Sequence, residues 1–188
     1  DADASAVRTT LGLGALATLT QLTLATRPTQ LNTFCGGRAT TESNAPVSNA
    51  DRASQGTIYY TPYLHNLVCV PDGSGGWVVL QFSQLSRSIS GLTSGKPYDV
   101  VLYRNSGTLT LDLMPAWTSN TARANALDTS LGVYTNTASF TSVMAGHTVA
   151  ANAAVYVGTI YTTGTAATED SDTKRYVFNQ VNKGQRRL

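Results

Sequence analysis

The sequence predicts an all-β fold, an antiparallel β-sandwich or barrel-like domain with a short N-terminal oligomerisation segment. Three observations lead to this fold class. From Thr57 onward, short runs of β-branched and aromatic residues alternate with Gly, Asn, Asp and Pro, which is typical of sandwiches and barrels. Of the 188 residues, 41% are hydrophobic, enough for the core of one domain. Only 13% are charged, about half of the usual quarter, so the surface is predicted to consist of small, uncharged polar residues.

The first 33 residues contain a row of leucines without a clear period. Leu11 and Leu13 have strand-like spacing, whereas Leu16, Leu19 and Leu22 follow each other at steps of three, so neither a strand nor a helix is favoured. A single copy of the chain would expose this row, and identical copies packed about an axis would bury it. Residues 1–33 are therefore predicted to be an oligomerisation segment. Its contact residues are Leu11, Leu13, Leu16, Leu19 and Leu22.

The rest of the chain divides into a linker and a β-rich head domain. Residues 34–57 are rich in turn residues and have no apolar period, which indicates a linker or loop. Residues 58–188 form the predicted head domain. Its candidate strands, the first of which begins at Thr57, are TIYYTPY, NLVCV, GWVVLQF, YDVVLYRN, TLTLDLMPAW, GVYTN, AVYVGTIYTT and KRYVFNQV.

The clearest predicted hairpin joins YDVVLYRN to TLTLDLMPAW. Asn105-Ser106-Gly107 between them, like Asp72-Gly73 earlier in the chain, has residues that tolerate positive φ in tight turns. In the second strand Thr108, Thr110 and Asp112 share one face and leucines the other. We therefore expect this strand to bury its leucine face alone.

Three stretches break the strand pattern. SQLSRSIS (83–90) places Leu85 and Ile89 four apart, which favours a helical turn or a bend. TSNTARANAL (118–127) offers a polar N-cap before an alanine-containing segment, so a short helix is predicted there. Residues 135–154 are weakly apolar and are predicted to form an insertion or loop that extends from the sheet.

No pattern of acids or nucleophiles indicates an active site, and we expect no catalytic residue. The motif G-x-S-x-G is absent from the sequence. The one dense acidic group, Glu169, Asp170 and Asp172, is expected to pair with Lys174, Arg175 or basic residues of another copy. A Ca²⁺ loop is the alternative, although the register and internal Gly of an EF-hand are missing. We therefore expect no metal site and no cofactor.

The cysteines and histidines also favour structural roles. Cys35 and Cys69 are too far apart in sequence for a compact metal motif, so each is expected to be a small buried hydrophobic residue. A single disulfide between them is the alternative. His65 and His147 are too few for a histidine-rich metal site.

Charge and hydropathy exclude two classes of partner. A formal net charge of +2 without clustered basic residues predicts no nucleic-acid binding. No apolar run approaches about 20 residues, and the N-terminus carries acids where a signal peptide would be basic and then apolar, so no membrane insertion is expected.

Aromatic residues are the best candidates for ligand contact. Most of them, including Trp77 and Trp117, are expected to pack in the core or across strands, with stacking on sugars or bases as the alternative. The candidate receptor or glycan contacts are Tyr59, Tyr60 and Tyr63. The predicted loop 135–154 is a further candidate, because recognition is carried by loops more often than by sheet cores.

Several strings, in this order, resemble a domain that recurs in bacteriophage and prophage virion proteins of the fibre type. They are YYTPYLHNLV, the DGS stretch followed by Trp77, GLTSGKPYDVVLY, PAWTSNTARANAL, GVY and YVGTIYTTGTAATEDSDTKRYVFNQVN. The resemblance covers about 58–182. RTTLGLGALAT, at 8–18, also resembles an element that phage tail-fibre chains repeat between shaft and tip domains. The chain departs from the usual pattern at 135–154, which is longer here.

The resemblance implies a homotrimeric fibre or spike component of the virion, a non-enzymatic protein made in the host cytoplasm. Its N-terminal segment would dock to other virion proteins, and its β-domain would project outward to attach to the host, with cell-surface polysaccharide as the candidate partner. One alternative is a capsid decoration or head-fibre protein that stabilises the head. A glycan-degrading tailspike is a further alternative, although the chain lacks the long β-helical repeats that such enzymes commonly use.

Overall fold

The computed structural model describes residues 35–129 and 133–183, which confirm the predicted all-β, antiparallel fold. The predicted oligomerisation segment 1–33, with its five leucines, lies outside these residues. No helix occurs in the described part of the chain, so none there could span a membrane. The strands are β1 (Gly37–Thr40), β2 (Arg52–Gln55), β3 (Thr57–Pro62), β4 (Leu67–Pro71), β5 (Trp77–Gln81), β6 (Leu85–Ser88), β7 (Pro97–Asn105), β8 (Thr108–Leu113), β9 (Leu127–Asp128), β10 (Thr135–Asn136), β11 (Phe140–Thr141), β12 (Thr148–Val149), β13 (Ala154–Gly164), β14 (Ala167–Asp170) and β15 (Val177–Asn179).

The largest sheet is organised around β13, the longest strand. This strand pairs with β7 along one side, with β15 and β14 along the other, and with β10 at its start. A bulge between Tyr156 and Gly158 shifts the register against β7, as an extra residue in one strand does. The sheet continues through β8, β9 and β2 without closing on itself in the described residues, so the barrel-like alternative is wrong for this part of the chain.

The main core lies between this sheet and two smaller ones. The smaller sheets are the three-stranded β1–β3–β6 and the β4–β5 hairpin. Ile58 and Tyr60 from β3, Val68 and Val70 from β4, and Leu102 from β7 belong to the same buried cluster. Because residues of all three sheets share this cluster, burial of apolar surface holds the sheets together.

A second, smaller cluster covers the opposite side of β7 and β13. It contains Val101, Tyr103, Phe140, Val149 and Tyr156, among others. Strands β7 and β13 are consequently buried on both faces, which explains their nearly continuous apolar sequences. The region 135–154, predicted to be an insertion or loop, contributes β10, β11 and β12 and packs on the sheet.

The predicted β7–β8 hairpin is confirmed, with a turn at Ser106 and Gly107, whose φ angles are 48° and 88°. Both angles are positive, as a type I′ turn requires. The expectation that only the leucine face of β8 is buried is wrong at its end, where Asp112 has no exposed surface. The cause is the 142–145 segment, whose backbone covers this part of β8.

Two local predictions of helical structure are wrong. Within residues 83–90, Leu85–Ser88 is strand β6, which pairs with β3. The segment 118–127 is irregular up to β9 and contains no helix. Its Arg123 is instead held on the sheet by Asp99, at 2.8 Å between Nε and Oδ2, and this tertiary contact outweighs the weak helical propensity of the segment.

Candidate functional site

The tyrosines predicted as receptor contacts do not form one surface. Tyr60 is completely buried, with its ring 5.2 Å from that of Phe82 and its hydroxyl oxygen accepting a hydrogen bond from Gly37 N at 3.2 Å. This residue has no surface left for a ligand, so the expectation for Tyr60 is wrong. Tyr59 is half-buried in the middle of β3, and Tyr63 is 41% exposed beside Arg38.

The other predicted recognition element, residues 135–154, does line a groove. The groove has a volume of about 380 Å³ and lies between the β4–β5 turn and the end of this segment. One wall consists of Trp77 and glycines of the turn, and the other of Thr135 and residues 150–153. None of the described residues that line the groove is ionisable. We call it the Trp77 groove.

The glycine-rich wall is fixed by Asp72. Its Oδ1 accepts hydrogen bonds from Ser74 N at 2.7 Å and Gly76 N at 3.0 Å. Gly73 and Gly75 have φ angles of 84° and 89°, which side chains other than glycine rarely adopt, and a Cβ at either position would meet no atom within 4 Å. One oxygen of the Asp72 carboxylate is therefore occupied by the turn, and no side chain projects from Gly73 or Gly75 in the wall of the groove.

Trp77 forms the apolar surface of the groove. It begins β5, pairs with Pro71 across the hairpin, and is half-buried against the main core. The side chain packs against the main core and Trp77 also lines the groove. A fixed aromatic plane is a surface on which the apolar face of a ligand can stack without losing side-chain entropy.

The opposite wall depends on Asn136, which is not among the predicted contact residues. Its side chain is buried and donates to Ala150 O at 2.7 Å, while its Oδ1 accepts from Ala154 N at 2.9 Å. These bonds hold the turn that presents exposed Asn152 with a φ of 56°. The one signal of this wall in the sequence is Asn152, which interrupts a run of alanines, because asparagine tolerates a positive φ in a turn.

Asn152 and Thr135 supply polar groups to the groove. Thr135 Oγ1 donates to Asn152 Oδ1 at 3.5 Å, which leaves the amide NH₂ of Asn152 without an acceptor among the described residues. The groove thus joins an aromatic plane, an amide donor and backbone groups of a glycine turn, without a charge. This is the composition of a site for an uncharged polar ligand with an apolar face.

No protein-family model matches the chain, and neither the curated proteins nor the solved structures compared with it include a match.

A second polar cluster surrounds Asp99 on β7 and has a structural explanation. Thr159 Oγ1 donates to Asp99 Oδ1 at 2.8 Å, and Arg123 occupies the other oxygen. The guanidinium of Arg123 also lies 4.4 Å from the ring centroid of Trp117. Burial raises the pKa of the Asp99 carboxyl, while the hydrogen bonds from Arg123 and Thr159 oppose that rise. Both oxygens are occupied, so the cluster fastens the 115–126 segment to the sheet.

The predicted burial of both cysteines is confirmed, and both are free thiols. Burial, reinforced by the nearby Cys69, raises the pKa of the Cys35 thiol to about 12, and burial raises that of Cys69 to about 11. Since the thiolate is the nucleophile, both side chains behave as core residues at neutral pH. In the acidic group, Glu169 Oε2 lies 3.4 Å from Lys174 Nζ, which confirms that predicted pair.

Proposed function

We propose that this chain is a structural component of a bacteriophage virion, a fibre or spike protein whose β-domain binds polysaccharide on the host cell surface in the Trp77 groove. The observation that carries the binding part is the uncharged groove of about 380 Å³ with an indole wall. The virion part is supported by the sequence strings at 58–182 and 8–18. Binding, rather than catalysis, is the activity proposed.

Carbohydrate chemistry fits the groove better than other ligand classes do. A pyranose ring presents C–H groups on one face and hydroxyl groups around its edge. The indole of Trp77 would take the C–H face, while the amide of Asn152 and the backbone of the glycine turn would bond the hydroxyls. An anionic ligand would find no cation among the residues that line this groove.

The proposed architecture is a homotrimer of two-layer β-sandwiches. It is supported by the buried cluster that residues of the large and small sheets share, and by the leucine row, which needs a partner to be buried. Three grooves per trimer, repeated over a particle, would convert weak binding of single sugars into avidity. Residues 1–33 would form the trimer contact and dock to other virion proteins.

The first test is glycan binding by the Trp77 groove. The full chain should bind at least one neutral oligosaccharide in a panel of bacterial surface glycans. Trp77→Ala should weaken that binding about tenfold, since it removes the stacking surface at a cost of about 1.4 kcal/mol. Affinity is measured by titration calorimetry on ligands selected from a glycan array.

Two further variants control this result. Trp77→Phe keeps an aromatic plane and should retain most of the affinity for the glycan. Trp117 lies outside the groove, so Trp117→Phe should leave that affinity unchanged. Equal affinity of Trp77→Ala and the unsubstituted protein would contradict the proposal, as would an array without any binding.

The second test concerns assembly through the N-terminal leucines. The unsubstituted chain should sediment as a trimer, and Leu13→Asp combined with Leu16→Asp should give monomers or aggregates, because the leucine row can no longer be buried between copies. Sedimentation velocity measures both. A compact monomer from the unsubstituted chain would contradict the trimer. Immunogold label on the head of tagged particles would assign the protein to capsid decoration instead of a tail fibre.

A further inference from the structure

A second pocket shares no lining residue with the Trp77 groove and is lined by two arginines. It has a volume of about 100 Å³ and lies beside β1, residues 46–48 and the β14–β15 region. Its polar lining is Arg38, Thr40, Ser48, Asp170, Arg175 and Asn179. Two guanidinium groups against one carboxylate give this lining a formal net charge of +1. We call it the Arg38 pocket.

Arg38 has buried hydrogen-bond donors without an acceptor. Its Nε and Nη1 are both buried, and neither has a hydrogen-bond partner in the described part of the chain. Leaving a buried donor of a charged group unsatisfied costs about 1–3 kcal/mol or more. Native proteins seldom contain such groups unless a ligand, ion or water completes them.

The surroundings hold Arg38 in place without satisfying it. Its guanidinium carbon lies 5.3 Å from the ring centroid of Tyr63, within the range of a cation–π contact. The amide of Asn179, another buried side chain of the lining, is occupied on both sides by β1, with Ala39 N at 2.7 Å from Oδ1 and Nδ2 at 2.9 Å from Ala39 O. The arginine is thus positioned before any ligand arrives, which lowers the entropy cost of binding.

Hydroxyl groups complete the lining. Ser48 Oγ and Thr40 Oγ1 are 3.5 Å apart, a long contact that either hydroxyl can exchange for a shorter bond to a ligand. Among the described residues that line the pocket, Asp170 is the one with a carboxylate, and it forms no hydrogen bond with Nε or Nη1 of Arg38. The pocket therefore offers donors of positive charge and hydroxyl groups at one point.

We propose that the Arg38 pocket binds one oxyanion group, a carboxylate or a phosphate. The volume is equivalent to about three water molecules, which suits a single such group and is too small for a sugar ring. Arginine is the side chain best matched to these anions, because its planar guanidinium forms charge-assisted bonds to their oxygens. The proposal does not depend on the virion function, since any soluble oxyanion can test it.

The test uses the full chain and two probes, inorganic phosphate and the methyl glycoside of glucuronic acid, whose carboxylate is free. Each probe is titrated at constant ionic strength against a chloride control. Saturable binding of either probe is expected. Preference for phosphate would indicate a phosphate source, and preference for the uronate would indicate an acidic glycan. Arg38→Gln should weaken binding about tenfold or more, since it removes at least one charge-assisted hydrogen bond.

Three controls keep the result decisive. Arg38→Lys retains the charge but loses the planar donor group. Its affinity for the probes should fall between that of the unsubstituted protein and that of Arg38→Gln. If Arg38→Gln does not fold, Arg175→Gln, at an exposed residue, should weaken binding without disturbing β1. Trp77→Ala should leave oxyanion binding unchanged. Binding by every Arg38 and Arg175 variant equal to that of the unsubstituted protein, or responses to both probes no larger than the response to chloride, would overturn the proposal.

Discussion

Gly158→Ala should unfold the domain at a markedly lower urea concentration, with a loss of about 3 kcal/mol in the free energy of unfolding, the upper end for overpacking. A Cβ at this position would lie 2.2 Å from the carbonyl oxygen of Phe178 in β15. That contact is with backbone, so no side-chain rotation relieves it, and β15 has to move away from β13.

The displacement would spread beyond one strand pair. Asn179 follows Phe178 and bonds both the N–H and the carbonyl of Ala39 in β1, while Gln180 N donates to Val157 O at 2.9 Å. Moving β15 therefore loosens its attachment to two sheets. In Gly158→Ala, hydrogen exchange should be accelerated more at Gln180 and in β1 than in β8, relative to the unsubstituted protein.

Gly164→Ala is the matched control in the same strand. A Cβ there would meet its nearest neighbour, Ala167 Cβ, at 3.7 Å, an ordinary contact, and should raise stability by about 0.5 kcal/mol because alanine orders the strand at a lower entropy cost than glycine. Identical unfolding midpoints for Gly158→Ala and Gly164→Ala would show that the sheet accommodates the extra carbon.

Strands with an apolar pattern could be predicted from the sequence, and polar strands could not. The β7–β8 hairpin has both alternation and a turn of Ser106 and Gly107 with positive φ, two local signals that agree. Strands β1 (GRAT) and β2 (RASQ) have no apolar period. Their place in the fold is determined by pairing with β3 and β14, which no local pattern in the two segments indicates. Leu85 and Ile89, four apart, imitated a helical turn although Leu85 lies in a strand.

The candidate sites were predicted less completely, because their geometry depends on contacts that the sequence does not display. The segment 135–154 was predicted as a recognition element, but its approach to Trp77 is set by the buried amide of Asn136. Tyr60 has the same residue type and neighbourhood as Tyr59, yet the alternation of β3 buries Tyr60 completely. Nothing local in the sequence marks Arg38 as an arginine with unsatisfied donors.

Asp112 is the other position at which a substitution should have a large effect. Its carboxylate is fully buried, with Oδ1 accepting from Leu113 N at 2.7 Å and Met144 N at 3.1 Å, and Oδ2 accepting from Ala145 N at 3.0 Å. Asp112→Ala would leave these three N–H groups without their acceptor and open a cavity. We expect a loss of about 3–5 kcal/mol in the free energy of unfolding, measured by urea denaturation.

Two milder variants separate the sources of this loss. Arg87 is partly exposed, with Nη2 3.9 Å from Asp112 Oδ2 and Nε donating to Leu111 O at 2.8 Å, so Arg87→Gln should cost about 1–2 kcal/mol. Asp112→Asn keeps one acceptor oxygen but places an NH₂ group where a donor already points. Its loss in the free energy of unfolding should lie between those of Arg87→Gln and Asp112→Ala. If Arg87→Gln destabilised the protein as much as Asp112→Ala, the contacts of Arg87 with Asp112 and Leu111 would be the main stabilising interactions at this end of β8, and not the backbone bonds to residues 144–145. If Asp112→Ala instead causes the largest loss in stability, Asp112 is the residue that holds the middle of 135–154 against the sheet. Residues 150–153, at the end of the same segment, line the Trp77 groove.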